Sequence, residues 1–547
     1  MDIKKKILFL TLENAVKYNG KASFGAVVGH LLAEDQGLKR KMKDISKIIK
    51  NTILEINDLT LDEQKTKLKE FRYKKKKKEE KLGLKDLPNV KGKVVMRIAP
   101  YPSGPLHIGN ARTAILNDEY VKKYGGKLIL FIDDTIGSKE KIINKDAYKL
   151  IPEGLKWAGV KFSKIYYKSD RLEIYYKYAK ELINKGKAYV CFCNQEKLRE
   201  NRKRGIACGC RSASIEETLK LWKKMFSMQE GKAALRIKTD MKHPNPAFRD
   251  RVIFRISDRK HPKIGNKYRV WPLLDFSWAI DDHLLKMTHI LRGKDLMMET
   301  DMERYIWKIF GWKKAEIIHN GLFQVEGIKL SKSKSQKEVS SGKYLGWHDP
   351  RTWSLQSLEK RGILPEAVRN FIVSIGLNQN EIVVPIDYLY AENKKLIDKK
   401  ANRYFFVEND KKINIKDAPK IISKAPLHPD FPKRGSRKIK TNGNFYVQDK
   451  FEKGKMYRFM HLFNFKDGKF VSEKFDKNLG AKLVHWLPVS KDLIKAEIVM
   501  DDGKVKKGLA EKTIKKLKIG EIIQFERFGF CRLNKKGSKY VFYFAHK

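Results

Sequence analysis

One stretch of this 547-residue sequence combines residue types that could bind and polarise a phosphate group. It runs from Arg97 to Arg112, between the apolar run 94–96, which predicts a buried strand, and residues 113–120, which predict a helix. Three prolines and a glycine make the connection a stiff turn. Phosphate can bind at such a helix N-terminus, where Gly109 permits close backbone approach and His107 can donate to a phosphoryl oxygen. The alternative is a histidine that only caps the helix.

A second stretch, Gly327–Ser333, is rich in lysine and serine and follows the predicted strand 321–325. Lysines on a mobile serine-rich loop can close over a triphosphate once it binds. The alternative is an ordinary solvated loop. The side chains concerned are Lys329, Ser331, Lys332, Ser333, Lys334, Ser335 and Lys337, of which Lys332 is the first candidate and Lys329 the second.

Two further positions could hold an amino acid. Asp133 follows the predicted buried strand 127–132, and ligands bind at the carboxyl ends of strands in open α/β sheets. Its carboxylate could pair with an ammonium group, or Asp133 and Asp134 could be helix-capping residues. Arg292 follows another buried run and could grip a carboxylate through two parallel hydrogen bonds. The alternative for Arg292 is a structural salt bridge.

Four of the five cysteines lie within 20 residues, as two pairs of CxC spacing. Clustered thiols of this kind indicate a metal site rather than disulfides, and four thiolates could form a tetrahedral structural zinc site. Reduced cysteines in a small hairpin are the alternative. The residues are Cys191, Cys193, Cys208 and Cys210.

The segment 102–110 resembles the HIGH signature of class I aminoacyl-tRNA synthetases, and Gly327–Ser333 resembles their KMSKS signature. The two occur in the expected order, with room between them for an insertion. Nearly the whole chain resembles the archaeal form of the glutamyl-tRNA synthetases. The resemblance implies activation of glutamate by ATP with Mg²⁺, followed by transfer to tRNA-Glu, with tRNA-Gln as a further substrate in a non-discriminating enzyme.

The resemblance also assigns roles to residues. His107 and Lys332 would be catalytic. Glutamate would be held by Arg97, Asp133, Thr135 and Arg292. ATP would be bound by Pro105, His107, Gly109, Asn110, Lys329, Ser331, Lys332 and Ser333.

Several positions depart from the family pattern. Asn110 stands where a second histidine is usual, and it can donate a hydrogen bond but cannot carry charge. Phe131 replaces a usual arginine, and Ile136–Gly137 replaces an acidic or amide residue and proline. Leu274 stands where a tyrosine often contacts the amino acid, so that role is not carried over.

Two other functions are weighed against a glutamyl enzyme. A glutaminyl-tRNA synthetase is disfavoured because glutaminyl enzymes typically lack arginine at the position of Arg292. A non-catalytic tRNA-binding paralogue is disfavoured because His107, Lys332 and Asp133 are all present.

The predicted fold is multidomain α/β, with a Rossmann-like class I catalytic core. An insertion divides this core, and C-terminal antiparallel β-barrels follow it. The predicted parts are a helical extension with a lysine-rich linker (1–90), the first catalytic half (91–190), the acceptor-end insertion with the cysteine cluster (191–270), the second catalytic half (271–345), a helical connector (346–403) and the anticodon-binding barrels (404–547).

Composition supports a polyanionic partner. Lysine and arginine number 118 against 64 aspartate and glutamate, a net charge of +54, although lysine-rich composition accounts for part of this excess. No apolar run approaches the roughly 20 residues of a membrane span. The apolar N-terminal stretch lacks a signal-peptide cleavage site. We therefore expect a cytoplasmic protein, and the family resemblance suggests a monomer.

Overall fold

The computed structural model describes residues 3–34, 38, 42–70, 84–137, 141–328, 330–408 and 411–547. Lys329 and the lysine run 74–78 lie outside this part of the chain. The chain divides into two compact units, residues 1–82 and 83–547. No helix in the described ranges is both long and apolar enough to cross a membrane.

The first unit is helical, as the sequence predicts. Its helices pack around a small aliphatic core that includes Ile7, Leu31 and Ile49. Gln64 joins them, because its buried amide donates to the carbonyl oxygens of Gly20 (3.0 Å) and Ile56 (2.7 Å). The helices are α1 (Ile3–Lys17), α2 (Phe24–Glu34), α3 (Met42–Asn57) and α4 (Leu61–Glu70).

The second unit begins with three parallel strands connected by helices, which is the topology predicted for a Rossmann-like core. The strand register pairs Arg97 with Ile129 and Phe131 with Tyr166. The elements are β1 (Val95–Ile98), α5 (Ile108–Lys123), β2 (Lys127–Ile132), α6 (Ala147–Trp157), β3 (Lys164–Tyr167) and α7 (Leu172–Asn184).

An antiparallel sheet of four strands in sequence order interrupts this core. It extends three residues before and two residues beyond the 191–270 range expected for the insertion. The elements are β4 (Ala188–Cys191), α8 (Gln195–Arg204), α9 (Ile215–Met225), β5 (Ala234–Ile237), β6 (Val252–Ile256) and β7 (Val270–Pro272).

The chain then returns to the first three strands. The Thr288 amide donates to the Val95 carbonyl at 2.9 Å, which places the next parallel strand pair beside β1. The elements that follow are α10 (Leu274–Leu284), β8 (His289–Gly293), α11 (Met297–Phe310), β9 (Glu316–Asn320), β10 (Phe323–Val325) and α12 (Lys332–Ser340).

The predicted connector is mostly helical, and it also supplies one strand that pairs in parallel with β10. Its elements are α13 (Leu355–Arg361), α14 (Pro365–Ile375), β11 (Ile382–Val384) and α15 (Asp387–Ile397).

The C-terminal part is all β, as predicted. Its strands are β12 (Arg403–Tyr404), β13 (Phe406–Glu408), β14 (Lys411–Asn414), β15 (Ile422–Pro426), β16 (Ser436–Lys440), β17 (Asn444–Val447), β18 (Met456–Phe459), β19 (Asn464–Lys466), β20 (Lys469–Ser472), β21 (Lys482–Val484), β22 (Leu487–Pro488), β23 (Ile494–Val499), β24 (Val505–Ala510), β25 (Ile522–Phe525), β26 (Gly529–Lys535) and β27 (Tyr540–His546). The largest sheet has the order β12-β25-β26-β27-β23-β24-β13.

The expectation of purely antiparallel pairing in this region is wrong. The pairs β12–β25, β18–β21 and β23–β27 are parallel. Each joins strands that are distant in the sequence, whereas the hairpin signals of a sequence report only on neighbouring strands.

Candidate active site

The carboxyl ends of β8 and β9, the strand β10 and the start of α5 surround a cavity of about 800 Å³. Open α/β sheets bind ligands in such a crevice. The cavity is lined by His107, Gly109, Asn110, Arg112, Thr113, Gly293, Lys294, Asp295, Asn320, Gly321, Leu322, Phe323, Gln324, Ile328, Leu330 and Glu381. Both signature stretches therefore contribute to one cavity.

The loop before α5 places His107 at the helix N-terminus. His107 is the N-cap residue, and its Nδ1 accepts from the backbone amide of Asn110 at 3.3 Å. Burial and the nearby charge of Lys332 lower the pKa of His107 to about 3, so its ring is neutral at neutral pH. Because Nδ1 is an acceptor, the proton of the neutral ring lies on Nε2. The ring therefore caps the helix and still has one N–H to donate.

The second signature lies against the first. Leu330 meets α5 at Gly109, where an added Cβ would lie 3.1 Å from both the Leu330 Cδ1 and the His107 ring. The expectation that the KMSKS-like lysines lie on an irregular mobile loop is wrong for most of them, since α12 begins at Lys332. Ser331 caps that helix by accepting from the backbone amide of Lys334 at 3.3 Å, and serine is a favoured cap residue.

Lys332 points back towards the loop before α5. Its Nζ donates to the carbonyl oxygen of Tyr101 at 3.1 Å. Burial, and secondarily the charge of Lys141, lowers the pKa of Lys332 to about 8. Pro105, His107 and Lys332 line a second, small pocket beside the main cavity. The two predicted catalytic side chains are therefore neighbours, whereas Ser333 and Lys334 are exposed.

Asparagine at position 110 is also part of the cavity wall. Its Oδ1 is buried and has no hydrogen-bond partner among the residues that the structure describes. A buried polar atom without a partner is costly, so this oxygen is available to a ligand. This oxygen is an acceptor, whereas the helper role predicted for Asn110 is hydrogen-bond donation by its amide nitrogen, so that role stays a prediction.

The two aspartates after β2 have different surroundings. Asp134 accepts hydrogen bonds from the Ser169 amide and hydroxyl (2.9 and 2.7 Å) and from the Tyr148 hydroxyl (2.9 Å). Asp133 accepts from the Thr135 hydroxyl at 3.1 Å. Ser169 lies in the short 3₁₀ helix Lys168–Arg171, so Asp134 accepts from an amide in the first turn of a helix, whereas no contact of Asp133 with the described residues caps a helix. Asp134 holds the strand end in place, and Asp133 with Thr135 forms a pair that could bind an ammonium group.

The two predicted carboxylate-binding arginines lie close together but are engaged within the protein. Arg97 forms a bidentate pair with Asp282 at 2.5 and 2.7 Å. Arg292 pairs with Glu303 at 2.9 and 3.0 Å. Both guanidinium groups lie within 5 Å of the ring centre of Trp278. The structural salt bridge is therefore present at both positions, and neither arginine lines the main cavity.

Lys168 belongs to the same group of buried charges, although sequence reasoning missed it. Its side chain is fully buried, and its Nζ donates to the Ser277 hydroxyl at 2.6 Å and lies 3.9 Å from Asp281. It also lies 6.0 Å from the ring centre of Phe131. Burial lowers the pKa of Lys168, and nearby Asp133 opposes that shift. Its position directly after β3 is the signal that could have identified it, because Asp133 follows β2 at the same edge.

The four clustered cysteines come together in the insertion. Their sulfur atoms all lie within 4.8 Å of one another. The Arg236 guanidinium lies 3.6 Å from the sulfur atoms of Cys191 and Cys208. A nearby cation offsets the negative charge of a metal bound by thiolates, so these residues could hold a metal ion.

Comparison with known proteins agrees with this geometry. Residues 93–399 match the family described as tRNA synthetases class I (E and Q), catalytic domain, and residues 401–484 and 483–534 match the anti-codon binding domains of the same family. The chain is 47% identical to a protein named glutamate–tRNA ligase from Methanocaldococcus jannaschii and 46% identical to one from Pyrococcus abyssi, and it covers 100% of each. A third, from Methanococcus maripaludis, is 43% identical with the same coverage.

These matches extend over the signature loops, the interrupted parallel sheet and the C-terminal strands. The family resemblance found in the sequence is therefore confirmed. This chain belongs to the class I tRNA synthetases of the E and Q type.

Proposed function

We propose that this protein is a glutamate–tRNA ligase, which activates glutamate with ATP and attaches it to the 3′ end of tRNA-Glu. The observation that supports this most directly is the meeting of His107 and Lys332 beside a cavity at the strand ends. Relatives that match over their full length and are named glutamate–tRNA ligase support the choice of glutamate as the substrate.

Positioning and charge are sufficient for the first reaction. A carboxylate oxygen of glutamate attacks the α-phosphorus of ATP in line, and pyrophosphate leaves. The His107 N–H and the Lys332 ammonium group stabilise negative charge on the phosphate oxygens. Mg²⁺ carried with ATP supplies further neutralisation of the phosphate charge. Asp133 and Thr135 hold the substrate ammonium group, so the α-carboxylate faces the cavity.

The second reaction needs the 3′ end of tRNA in the same place. A hydroxyl of the terminal adenosine attacks the carbonyl carbon of glutamyl-adenylate, and AMP departs. We assign the acceptor end to the insertion and the anticodon to the C-terminal strands. We also infer that the largest C-terminal sheet closes as a barrel, since its edge strands β12 and β13 are separated only by Phe405. A closed barrel has no exposed edges.

We infer that the cysteine cluster binds a structural zinc ion. Four thiolates are the usual ligand set of a closed tetrahedral zinc site. The support is the proximity of all four sulfur atoms together with the buried Arg236 beside two of them. A zinc ion would connect the end of β4 to the segment after α8, and it would have no part in the chemistry.

The proposed activity is tested by charging tRNA-Glu with labelled glutamate. Lys332→Ala should reduce kcat at least 100-fold, because it removes a charge that stabilises the transition state. Lys343→Ala is the matched control. Lys343 lies just beyond α12, is exposed, and forms an ion pair with Glu338 of that helix. Absence of charging by the unaltered protein, with tRNA still bound, would overturn the proposal in favour of a non-catalytic tRNA-binding protein.

A further inference from the structure

Two backbone hydrogen bonds hold the residues on either side of His107. The Ile108 amide donates to the carbonyl oxygen of Trp353 at 3.1 Å, and the Leu355 amide donates to that of Leu106 at 2.9 Å. Together they form a short antiparallel bridge opposite His107. The segment around Trp353 therefore fixes the backbone from which the His107 side chain projects.

The backbone of Trp353 has an unusual conformation. Its φ is +51°, in the left-handed region that bulky side chains rarely adopt. Such a conformation persists only where the surrounding structure holds it. The adjacent residues Thr352 and Ser354 line the small pocket beside the two predicted catalytic side chains. A change in the conformation of Trp353 would therefore move the wall of the site.

Arg361 holds the side chain of Trp353 in place. Its guanidinium carbon lies 4.8 Å from the Trp353 ring centre, and both side chains are buried. The Nε of Arg361 donates to the carbonyl oxygen of Phe544 at 3.0 Å, and its Nη2 donates to that of Ala545 at 2.7 Å. Nη2 also donates to the Tyr390 hydroxyl at 2.8 Å. Because both carbonyls belong to β27, one guanidinium group connects β27 to the Trp353 ring.

We propose that Arg361 and Trp353 are positioning residues for His107. Neither side chain lines the main cavity or the small pocket. Arg361 fixes the Trp353 ring against β27, and the Trp353 backbone then holds the start of α5, where His107 lies. The inference rests on the proposed function, and it makes β27 a support of the active site.

Arg403 provides a matched comparison. It is also buried, its Nη1 donates to the carbonyl oxygen of Ala401 at 2.9 Å, and its guanidinium carbon lies 5.7 Å from the ring centre of Phe530. Its Nη2 donates to the Asp398 carboxylate at 2.6 Å. Like Arg361, it joins the helical connector to the C-terminal sheet. Its hydrogen-bond partners among the described residues follow α15, so its replacement should not affect the loop before α5.

The experiment measures kcat and the KM values for glutamate and tRNA-Glu in the unaltered protein, Arg361→Lys and Arg403→Lys, each below its melting temperature. Lysine keeps the charge but lacks the planar fork that reaches two carbonyls. We expect Arg361→Lys to lower kcat at least tenfold and to leave both KM values within twofold, because His107 acts on the transition state. Arg403→Lys should keep kcat within twofold.

Three results would overturn the inference: an unchanged kcat in Arg361→Lys, an equal fall in Arg403→Lys, or a fall in kcat with equal rises in both KM values. The last result would indicate general disruption of the fold. Failure of the unaltered protein to charge glutamate overturns the proposed function instead.

A double-mutant cycle tests whether the two residues act as one unit. Trp353→Phe keeps an aromatic face for the guanidinium and should retain kcat within threefold, whereas Trp353→Ala should lower kcat at least tenfold. Arg361→Lys combined with Trp353→Ala should have a kcat within twofold of Trp353→Ala, since both changes remove the same link. Effects that multiply would show independent structural roles and contradict the inference. If Arg361→Lys does not fold, the comparison of Trp353→Ala with Trp353→Phe decides.

A third measurement observes His107 itself. The chain has 12 histidines, whose ring nitrogen signals can be observed after ¹⁵N labelling, and His107 is identified by the signals lost in His107→Gln. Arg361→Lys should move the His107 signals, because Nδ1 loses its hydrogen bond from the Asn110 amide. Arg403→Lys should leave them in place. Unmoved His107 signals in Arg361→Lys would contradict the positioning role.

Discussion

At the scale of single residues, His107 combines a structural hydrogen bond with the chemistry proposed for it. Its Nδ1 accepts from the backbone of α5, and this bond fixes the tautomer that leaves Nε2–H free. A cap and a phosphate donor are therefore not competing roles for this histidine. The neutral ring, with a pKa near 3, donates its hydrogen bond over the whole physiological pH range.

The ammonium group of Lys332 should control ATP binding at alkaline pH. Its pKa is lowered to about 8, so the charge is present below that pH and is lost as pH rises through it. We expect kcat/KM for ATP to fall about tenfold per pH unit above pH 8. In Lys332→Arg this decline should disappear up to pH 9.5, because arginine stays charged. The check is a pH profile from 6.5 to 9.5 with both proteins. If the decline in kcat/KM is the same in Lys332→Arg, its cause is the titration of a group other than Lys332.

Lys168 should stabilise the fold through its neighbouring carboxylates. Loss of one partner from a buried ion pair leaves an uncompensated charge and typically costs about 3–5 kcal/mol. We therefore expect Lys168→Met to lower the free energy of unfolding by about 3 kcal/mol, as measured by urea denaturation. Lys164→Met is the matched control, since Lys164 is an exposed lysine on β3. A loss below 1 kcal/mol at position 168 would show that Arg171 and the Tyr175 hydroxyl are sufficient partners for Asp281.

The sequence predicted the positions of Arg97 and Arg292 at strand ends, but it could not predict their partners. Asp282 and Glu303 lie on α10 and α11, and helix packing alone brings them to the guanidinium groups. Such contacts depend on tertiary packing, which local patterns do not encode.

At the scale of elements, the loop before α5 depends on close packing at Gly104. This glycine has φ of +150°, and an added Cβ would lie 2.5 Å from the Trp347 ring. Trp347 belongs to the segment between α12 and α13, so the contact connects the first signature to the chain beyond the second. The loop conformation is thus fixed by packing as well as by its prolines.

Gly104→Ala should therefore disturb both stability and ATP binding. We expect the free energy of unfolding to fall by about 3 kcal/mol, from backbone strain and overpacking together, and the KM for ATP to rise about tenfold. Gly92→Ala is the control, because Gly92 has φ of +122° but open space around its Cα. Gly92→Ala should lower the free energy of unfolding by about 1–2 kcal/mol, from backbone strain alone, and should leave the KM for ATP unchanged. Equal effects of the two substitutions would contradict the packing argument.

The insertion should contain metal. We expect about one zinc ion per chain in the purified protein, measured by inductively coupled plasma mass spectrometry. Cys208→Ser should abolish it and lower the melting temperature, because a structural zinc ion contributes folding free energy directly. Cys531→Ala is the control, since Cys531 is buried in a C-terminal sheet and is outside the cluster. Zinc retained in Cys208→Ser, or absent from the unaltered protein, would contradict the site.

Apolar runs and turn residues predicted β1 and β2 within two residues, whereas α5 begins five residues before and ends three residues after the predicted range 113–120. They could not show that α12 begins at Lys332, because lysine and serine suit both an exposed helix and a solvated loop. The cap provided by Ser331 decides between the two. The parallel strand pairs of the C-terminal part were also missed, since pairing between distant strands has no local signal.

At the scale of the whole molecule, the interrupted sheet explains the distance between the two signatures in the sequence. The insertion leaves the core after α7 and returns at α10, and the hydrogen bonds between Thr288 and Val95 restore the parallel order beside β1. Both signatures then meet at one cavity. The motif order predicted this arrangement, whereas the cavity itself follows only from the assembled strands.

The measurement that tests the central claim most directly is aminoacylation of purified tRNA-Glu and tRNA-Gln with labelled glutamate and labelled glutamine in parallel. Our account predicts that glutamate is attached to tRNA-Glu and that glutamine is attached to neither tRNA. Glutamate on both tRNAs would agree with the account and would identify a non-discriminating enzyme. Attachment of glutamine, or no attachment of glutamate, would contradict it.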